Sequence, residues 1–393
     1  MKTPSQKKHA GFTLIEMMLA MAVTLVLLYT AVQVFRDATY SNQVVVQAAD
    51  MSDNLRAGLN MIQEDLQQAG QGIPVGGINI PFTSNGSTTS PCGTTAAINR
   101  PMLGGTTTFP PCNSTMPAIE PGNELGPPIT APDAIAGTVQ NPNSITDEVT
   151  MLYADNTLGL QTKPINQPPT ASPPTTGCPN GSLRYSGGTL TVTFDATNCI
   201  NLAASPYTTV NVGDLVLFTN TQGNAILYVT AASGNTLTFG INDPFKLNGR
   251  TEQSGTIQQL ETSTTCGGAP TCFPATTATR IWMVSYYLDN VTAPPFVRLV
   301  RQINMPPAYT PTPVGETMEN LQFTYNFVDG ATNPSNQSTV PAGNSESQIR
   351  SVNVYLGARS SYQVHSGNTV AFSRSNLMTQ VSLRSMAYTN RYP

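Results

Sequence analysis

Few residues in this sequence have types and spacing that bear on chemistry, and the first is a single carboxylate. Glu16 is the one charged residue in an otherwise uncharged apolar run, Phe12 to Phe35. A carboxylate within a membrane-spanning helix costs on the order of 3 kcal/mol, so its presence marks function. The second set is six cysteines: Cys92, Cys112, Cys178, Cys199, Cys266 and Cys272. They fall in Pro/Thr/Gly-rich stretches, and no pair has the CxxC spacing of redox or zinc motifs. An even number in such loops points to disulfides in an oxidising compartment, against free or metal-binding thiols in a reducing one. Sequential pairing is expected (Cys92–Cys112, Cys178–Cys199, Cys266–Cys272), because each bond then closes a short local loop.

Catalytic constellations do not stand out. Beyond His9 in the first eleven residues, the only histidine is His365, which cannot build a Ser/His/Asp arrangement alone and reads as an exposed loop residue. There is no P-loop, no GxGxxG after a strand, no HExxH and no EF-hand pattern. Acidic residues are scattered, so no metal cage is expected. Neither an enzyme nor a cofactor is expected. Trp282 and the tyrosines around it could form a sugar- or partner-binding surface, but at strand spacing core and cross-strand packing is the better reading. The Asn-x-Ser/Thr sequences at Asn113 and Asn290 read as incidental.

The elements that position Glu16 begin with a basic end. Lys2, Lys7 and Lys8 precede Gly11 with no acid among them, so this end should stay cytoplasmic. The 24 residues Phe12–Phe35 are long enough to cross a bilayer as a helix. A secretory signal cut near Ala20-Met21-Ala22 fits poorly, since apolar sequence continues past that site. An ordinary anchor leaves Glu16 unexplained. Net charge is −4, and no Lys/Arg run lies beyond the leader, so nucleic acid is not an expected partner.

Gly11-Phe12-Thr13-Leu14-Ile15-Glu16 resembles the prepilin motif shared by type IV pilins and type II secretion pseudopilins. The resemblance implies cleavage after Gly11 by a membrane-embedded prepilin peptidase and N-methylation of the new terminus, Phe12. It implies an assembly role for Glu16: its carboxylate meets the Phe12 ammonium of a neighbouring subunit. Each charge is costly alone in hydrocarbon, and pairing relieves both. Many major pilins carry a kinking proline where this chain has Gln33. ENLQFTYNF (319–327), IRSVNVYLGARS (349–360) and VSLRSMAYTNR (381–391) resemble the C-terminal half of PilW-type minor pilins.

The family resemblance therefore implies a minor pilin that primes pilus assembly, lies at or near the tip, and supports adhesion or twitching motility. A J-type secretion pseudopilin and a tip-adhesin module are the alternatives. The implied partners are other minor pilins, the major pilin, the prepilin peptidase, the inner-membrane assembly machinery and a tip adhesin. The implied location is the inner membrane, single-pass with a periplasmic head, and the extracellular pilus.

The expected fold is α+β: a long helix, membrane-spanning in its first half, packed on an antiparallel β head with an inserted β-rich region and disulfide loops. Residues 1–11 form the leader, 12–35 the spanning helix and 36–70 its amphipathic second half. No proline occurs between Pro4 and Pro74, so one helix of about 87 Å from Phe12 to Ala69 is expected. Ala48, Leu55, Leu59, Ile62 and Leu66 share an arc that should face a sheet, with Asp53, Arg56, Asn60, Glu64 and Gln67 opposite. Gly70, Gly72 and Pro74 should end it. Residues 71–145 read as an irregular loop region.

The head is expected over 146–393. Its first strand is 147–153, with Val149, Met151 and Tyr153 on one face. A meander inserted at about 183–247 follows, built from Leu190/Val192/Phe194, 214–220, 225–230 and 235–241. Then come a hairpin of 280–288 with 295–304 and strands carrying Leu321/Phe323/Tyr325/Phe327 and Val352/Val354/Leu356. Residues 376–388 read as a last strand, or a helical turn leading into one.

Overall fold

A computed structural model describes residues 12–81, 115–126, 145–158, 165, 182–193, 210–234, 236–245, 247–249, 255–263, 265–290, 297–304, 310–328, 337–366 and 369–389. The leader and Cys92, Cys112, Cys178 and Cys199 lie outside them. The architecture is α+β: one long helix on an antiparallel β head.

Helix α1 runs unbroken over Leu14–Gln68. Thr13 caps it in an extended conformation, and Ala69 closes it before Gly70, whose φ of +81° is left-handed. The head covers the helix only from Met51 onward. Leu55, Leu59, Ile62 and Leu66 are buried as the periodicity requires, while Ala48 is exposed, one turn short of the head. Asp53, Arg56, Asn60, Glu64 and Gln67 all face outward. The buried face also holds Gly58 and Asp65, which the apolar pattern does not flag. A Cβ on Gly58 would meet Leu299 Cδ2 at 2.7 Å, so glycine there lets the helix lie close to the sheet.

The strands follow in chain order. β1 (Ile78–Asn79) pairs with β2 (Thr115–Met116), and β3 (Ile119–Gly122) leads to β4 (Glu148–Asp155). These first three fall in the stretch read as irregular. β5 (Ser182–Ser186) and β6 (Thr189–Thr193) form a hairpin, as do β7 (Leu215–Asn220) and β8 (Gly223–Tyr228), and β9 (Ala231–Ser233) and β10 (Thr236–Gly240). Next come β11 (Thr277–Asp289), β12 (Arg298–Ile303), β13 (Thr312–Gly315), β14 (Met318–Phe327), β15 (Ile349–Ser366) and β16 (Thr369–Ser382). The short helix α2 (Arg384–Thr389) follows the last strand, so strand precedes helical turn at this end.

The inserted region is not the single meander that its turns suggest. Four of its strands make a sheet of order β5-β6-β10-β9, and Leu183, Leu190, Val192, Leu237 and Phe239 share a core with Val216 and Phe218 of β7, Ala225 and Leu227 of β8 and Ala278 of β11. Strands β7 and β8 join the main sheet instead, because β7 pairs with the first half of β11. β12 pairs with the second half of β11 along the same edge, and β4 lies on the opposite edge. Chain-local turn signals cannot reveal that long-range pairing. Phe194 lies outside the described residues.

The main sheet therefore buries both faces. Val149, Met151 and Tyr153 turn toward α1, together with Val284, Tyr286 and Leu299. Leu152, Ala154, Ile281 and Met283 turn toward a second core with Leu215, Leu217, Ile226 and Phe245. Strands β14-β15-β16 form a separate sheet under the helix. Leu321, Phe323, Tyr325, Phe327, Val352, Val354 and Leu356 all enter the α1 core, as their alternation predicts. His365 belongs to β15, paired with Val370, and not to a loop. Trp282 is half-buried: it packs on the core edge and stacks under the Arg280 guanidinium, 4.2 Å from the ring centre.

Candidate functional site

The site is the free half of α1 together with the contacts that fix its other half to the head. Phe12 is 84% exposed, and Leu14, Ile15, Leu19, Leu25, Leu28, Val32 and Phe35 are likewise uncovered. This half is long and apolar enough to cross a membrane, with a mean hydropathy of 2.1 over its best window and none of that window buried. Such a surface needs hydrocarbon or other apolar helices around it.

Glu16 sits in the first turn. Its Oε2 accepts the Thr13 backbone N–H at 3.0 Å and the Thr13 hydroxyl at 3.1 Å, while the Glu16 N–H donates back to Thr13 Oγ1 at 3.4 Å. This is a capping box, and the Thr13-x-x-Glu16 spacing that signals it is legible in the sequence. In the single subunit the carboxylate is thus occupied within its own helix. Phe12 lies immediately beside this cap. Gly11 is outside the described residues.

At the other end, Asp65 anchors the helix. It is buried, and it accepts Tyr153 Oη at 3.1 Å, Tyr286 Oη at 2.5 Å, Arg301 Nε at 2.6 Å and Arg301 Nη2 at 2.9 Å. Burial, and then the Asp65 charge, push the Tyr153 and Tyr286 hydroxyls above the ordinary tyrosine range, so both stay donors. Burial works against the Arg301 charge, but the Asp65 carboxylate outweighs it and raises the guanidinium pKa. The node ties α1 to β4, β11 and β12 by charge-assisted bonds with fixed geometry. Sequence reasoning missed it. The available signals were an acid adjacent to Leu66 in the stripe and an arginine two residues from Leu299 on the same strand face.

Two further polar joints hold the head together. Arg280 is fully buried and pairs closely with Asp155, with Asp214 at 3.6 Å; Asn304 also donates to Asp214 at 3.0 Å. This joint sits where β7 meets β11. Asp147 accepts the backbone N–H groups of Glu124 at 2.9 Å and Phe323 at 2.8 Å, joining the main sheet to β14. Burial pushes the Asp147 carboxyl up to about 6, against those two donors. Cys266 and Cys272 are disulfide-bonded, with Cα atoms 5.7 Å apart, beside the core of the inserted region.

A family model of the prokaryotic N-terminal methylation motif matches residues 6–28. No curated protein and no solved structure matches the chain. The match supports a type IV pilin-like or pseudopilin protein. It implies processing by prepilin peptidase and assembly with other pilins, and together with the apolar helix it suggests membrane anchoring and incorporation into a pilus.

Proposed function

We propose that this chain is a minor subunit of a type IV pilus, related to the PilW group. It primes assembly in the inner membrane and ends at or near the tip, where it supports adhesion or twitching motility. The observation that carries this reading is the pairing of the methylation motif with a helix left apolar and uncovered along its first half. The large head supports a minor over a major subunit. A subunit repeated along a filament must pack closely on copies of itself, and a head whose described residues already form four sheets is bulky for that task.

In this role Gly11 marks the cut, Phe12 becomes the methylated terminus, and Glu16 aligns the subunit with its neighbour. The presence of Glu16 favours a position beneath another subunit, since the outermost one has no ammonium above it to receive. The head stands on the periplasmic side before assembly, and its partners are other minor pilins, the major pilin and a tip adhesin. A deletion strain scored separately for surface pili and for protein secretion tests this. Loss of pili with normal secretion is expected. Loss of secretion with normal pili would assign the chain to a secretion pseudopilus instead.

A further inference from the structure

The two outer edges of the sheet under α1 are finished differently. Hydrogen bonding sets which backbone groups face each edge. The Leu383 N–H donates to Arg350 C=O, and the β15–β16 register runs on from that pair. In an antiparallel ladder, alternate pairs exchange bonds. Leu377, Thr379 and Val381 therefore point their N–H and C=O groups at β15, while Asn376, Met378, Gln380 and Ser382 point theirs outward. On β14 the same logic turns Leu321, Phe323 and Tyr325 outward, and each of the three takes a partner there. Leu321 C=O accepts from the Asp147 N–H, Phe323 N–H donates to Asp147 Oδ2, and Tyr325 exchanges two bonds with Gln337.

On β16 no described residue takes these bonds: outside the β15 ladder, no backbone bond to Asn376, Met378, Gln380 or Ser382 is found. The flanking side chains are exposed, Met378 by 61%. Sheet edges are ordinarily blunted by proline, charge or a bulge. β16 has no proline, and its single charge, Arg374, is tied to Glu319 at 2.7 Å. The register shift in this hairpin falls at Arg359/Gln363, beyond the segment. Among the described residues, Asn376–Ser382 is thus a regular free edge of about 23 Å at roughly 3.3 Å per residue.

We propose that the Asn376–Ser382 edge of β16 is a strand-addition site for an extended segment of a different protein on the outer side of the membrane. Main-chain groups at strand spacing recognise another strand. An incoming strand would lay alternate residues beside Leu377, Thr379 and Val381, under the flank of α1, and the others beside Asn376, Met378 and Gln380. A weakly charged segment of alternating apolar and polar residues fits both faces. A second copy fits less well. Antiparallel self-pairing needs a two-fold axis normal to the sheet, which would reverse α1, whereas anchors in one membrane share a direction. That choice of occupant rests on the pilin-like reading; the open edge does not.

The test uses the full-length chain. In purified detergent-solubilised protein, amide exchange should find the N–H groups of Asn376, Met378, Gln380 and Ser382 unprotected and those of Leu377, Thr379 and Val381 protected. In cells, a photo-reactive benzoylphenylalanine at Asn376 or Gln380 should cross-link to one partner protein, at sites within a single extended segment of it. Gln380→Pro removes an outward N–H and leaves the β15 ladder intact. It should cut the Asn376 cross-link at least tenfold with an unchanged melting midpoint, and Gln380→Ala should not. Protected outward amides in the purified chain would overturn the proposal, as would cross-links only to a second copy. Scattered cross-links indifferent to Gln380→Pro would do the same, and so would Gln380→Pro unfolding the head, which would show that the ladder runs the other way. The exchange experiment needs no anchor, so its failure is separable from failure of the pilin-like reading, which the mass of the processed chain reports.

Discussion

Removing the Asp65 carboxylate should loosen α1 from the head. Asp65→Ala deletes the acceptor of four hydrogen bonds and leaves the Arg301 guanidinium beside two tyrosine hydroxyls in a mostly buried site. Breaking a buried pair on one side costs about 3–5 kcal/mol, chiefly because the remaining charge is uncompensated. Arg301 keeps partial solvent access, with 20% of its side chain exposed, so the low end of that range is expected, about 3 kcal/mol. The double variant Asp65→Ala, Arg301→Met removes the stranded charge and should recover much of the loss, giving a coupling of about 1–3 kcal/mol. Urea unfolding of the full-length chain in detergent, followed by tyrosine fluorescence, measures all three proteins. Amide exchange across Met51–Leu66 should accelerate in the single variant only. If the single variant loses less than about 1 kcal/mol, or the double variant is no better than the single, then apolar packing alone holds the helix.

Gly11→Val should leave the leader attached, because the peptidase needs a small residue beside the cut; intact mass reads this directly, and a wild-type chain retaining Met1 would defeat the prepilin reading. Glu16→Ala should leave processing and membrane insertion intact yet sharply reduce recovery with other minor pilins, since a partner ammonium would lack its carboxylate; normal co-purification and normal pilus counts would make Glu16 dispensable. Thiol labelling of the denatured, unreduced chain should find Cys266 and Cys272 protected, and labelling of either would contradict the bond. Asp147 gives a pH signature: its carboxyl ordinarily titrates near 3.8 and is pushed up to about 6 in the fold. Between those values the folded state holds the proton more tightly than the unfolded one. Its contribution is therefore present below about pH 4 and lost as pH rises through 6, by up to about 3 kcal/mol. Relative to Asp147→Asn, the wild-type urea midpoint should fall from pH 4 to pH 7; a rise would refute the assignment.

What the sequence determined by itself are the features whose cause is local. The absence of proline from 5 to 73 and the run of apolar residues dictate one helix, because both act through neighbouring turns. The Gly11–Glu16 motif is contiguous, so it is legible without a fold. Strict alternation in 321–327 and 352–356 dictates strands with a buried face, because side chains alternate wherever the strand pairs. The short separation of Cys266 and Cys272 made their pairing the local expectation, and the structure closes that bond. Only the tertiary structure decided the rest. It set where the head begins to cover α1, leaving Ala48 out and taking Gly58 in. It sent β7 to β11, far along the chain, as well as to its hairpin partner β8. It brought Asp65, Tyr153, Tyr286 and Arg301 together from separate elements, and among the described residues it left the β16 edge open while Asp147 and Gln337 meet the β14 edge. In each case the deciding partner lies far away in the chain, and no local pattern records whom a strand edge or a buried charge will meet.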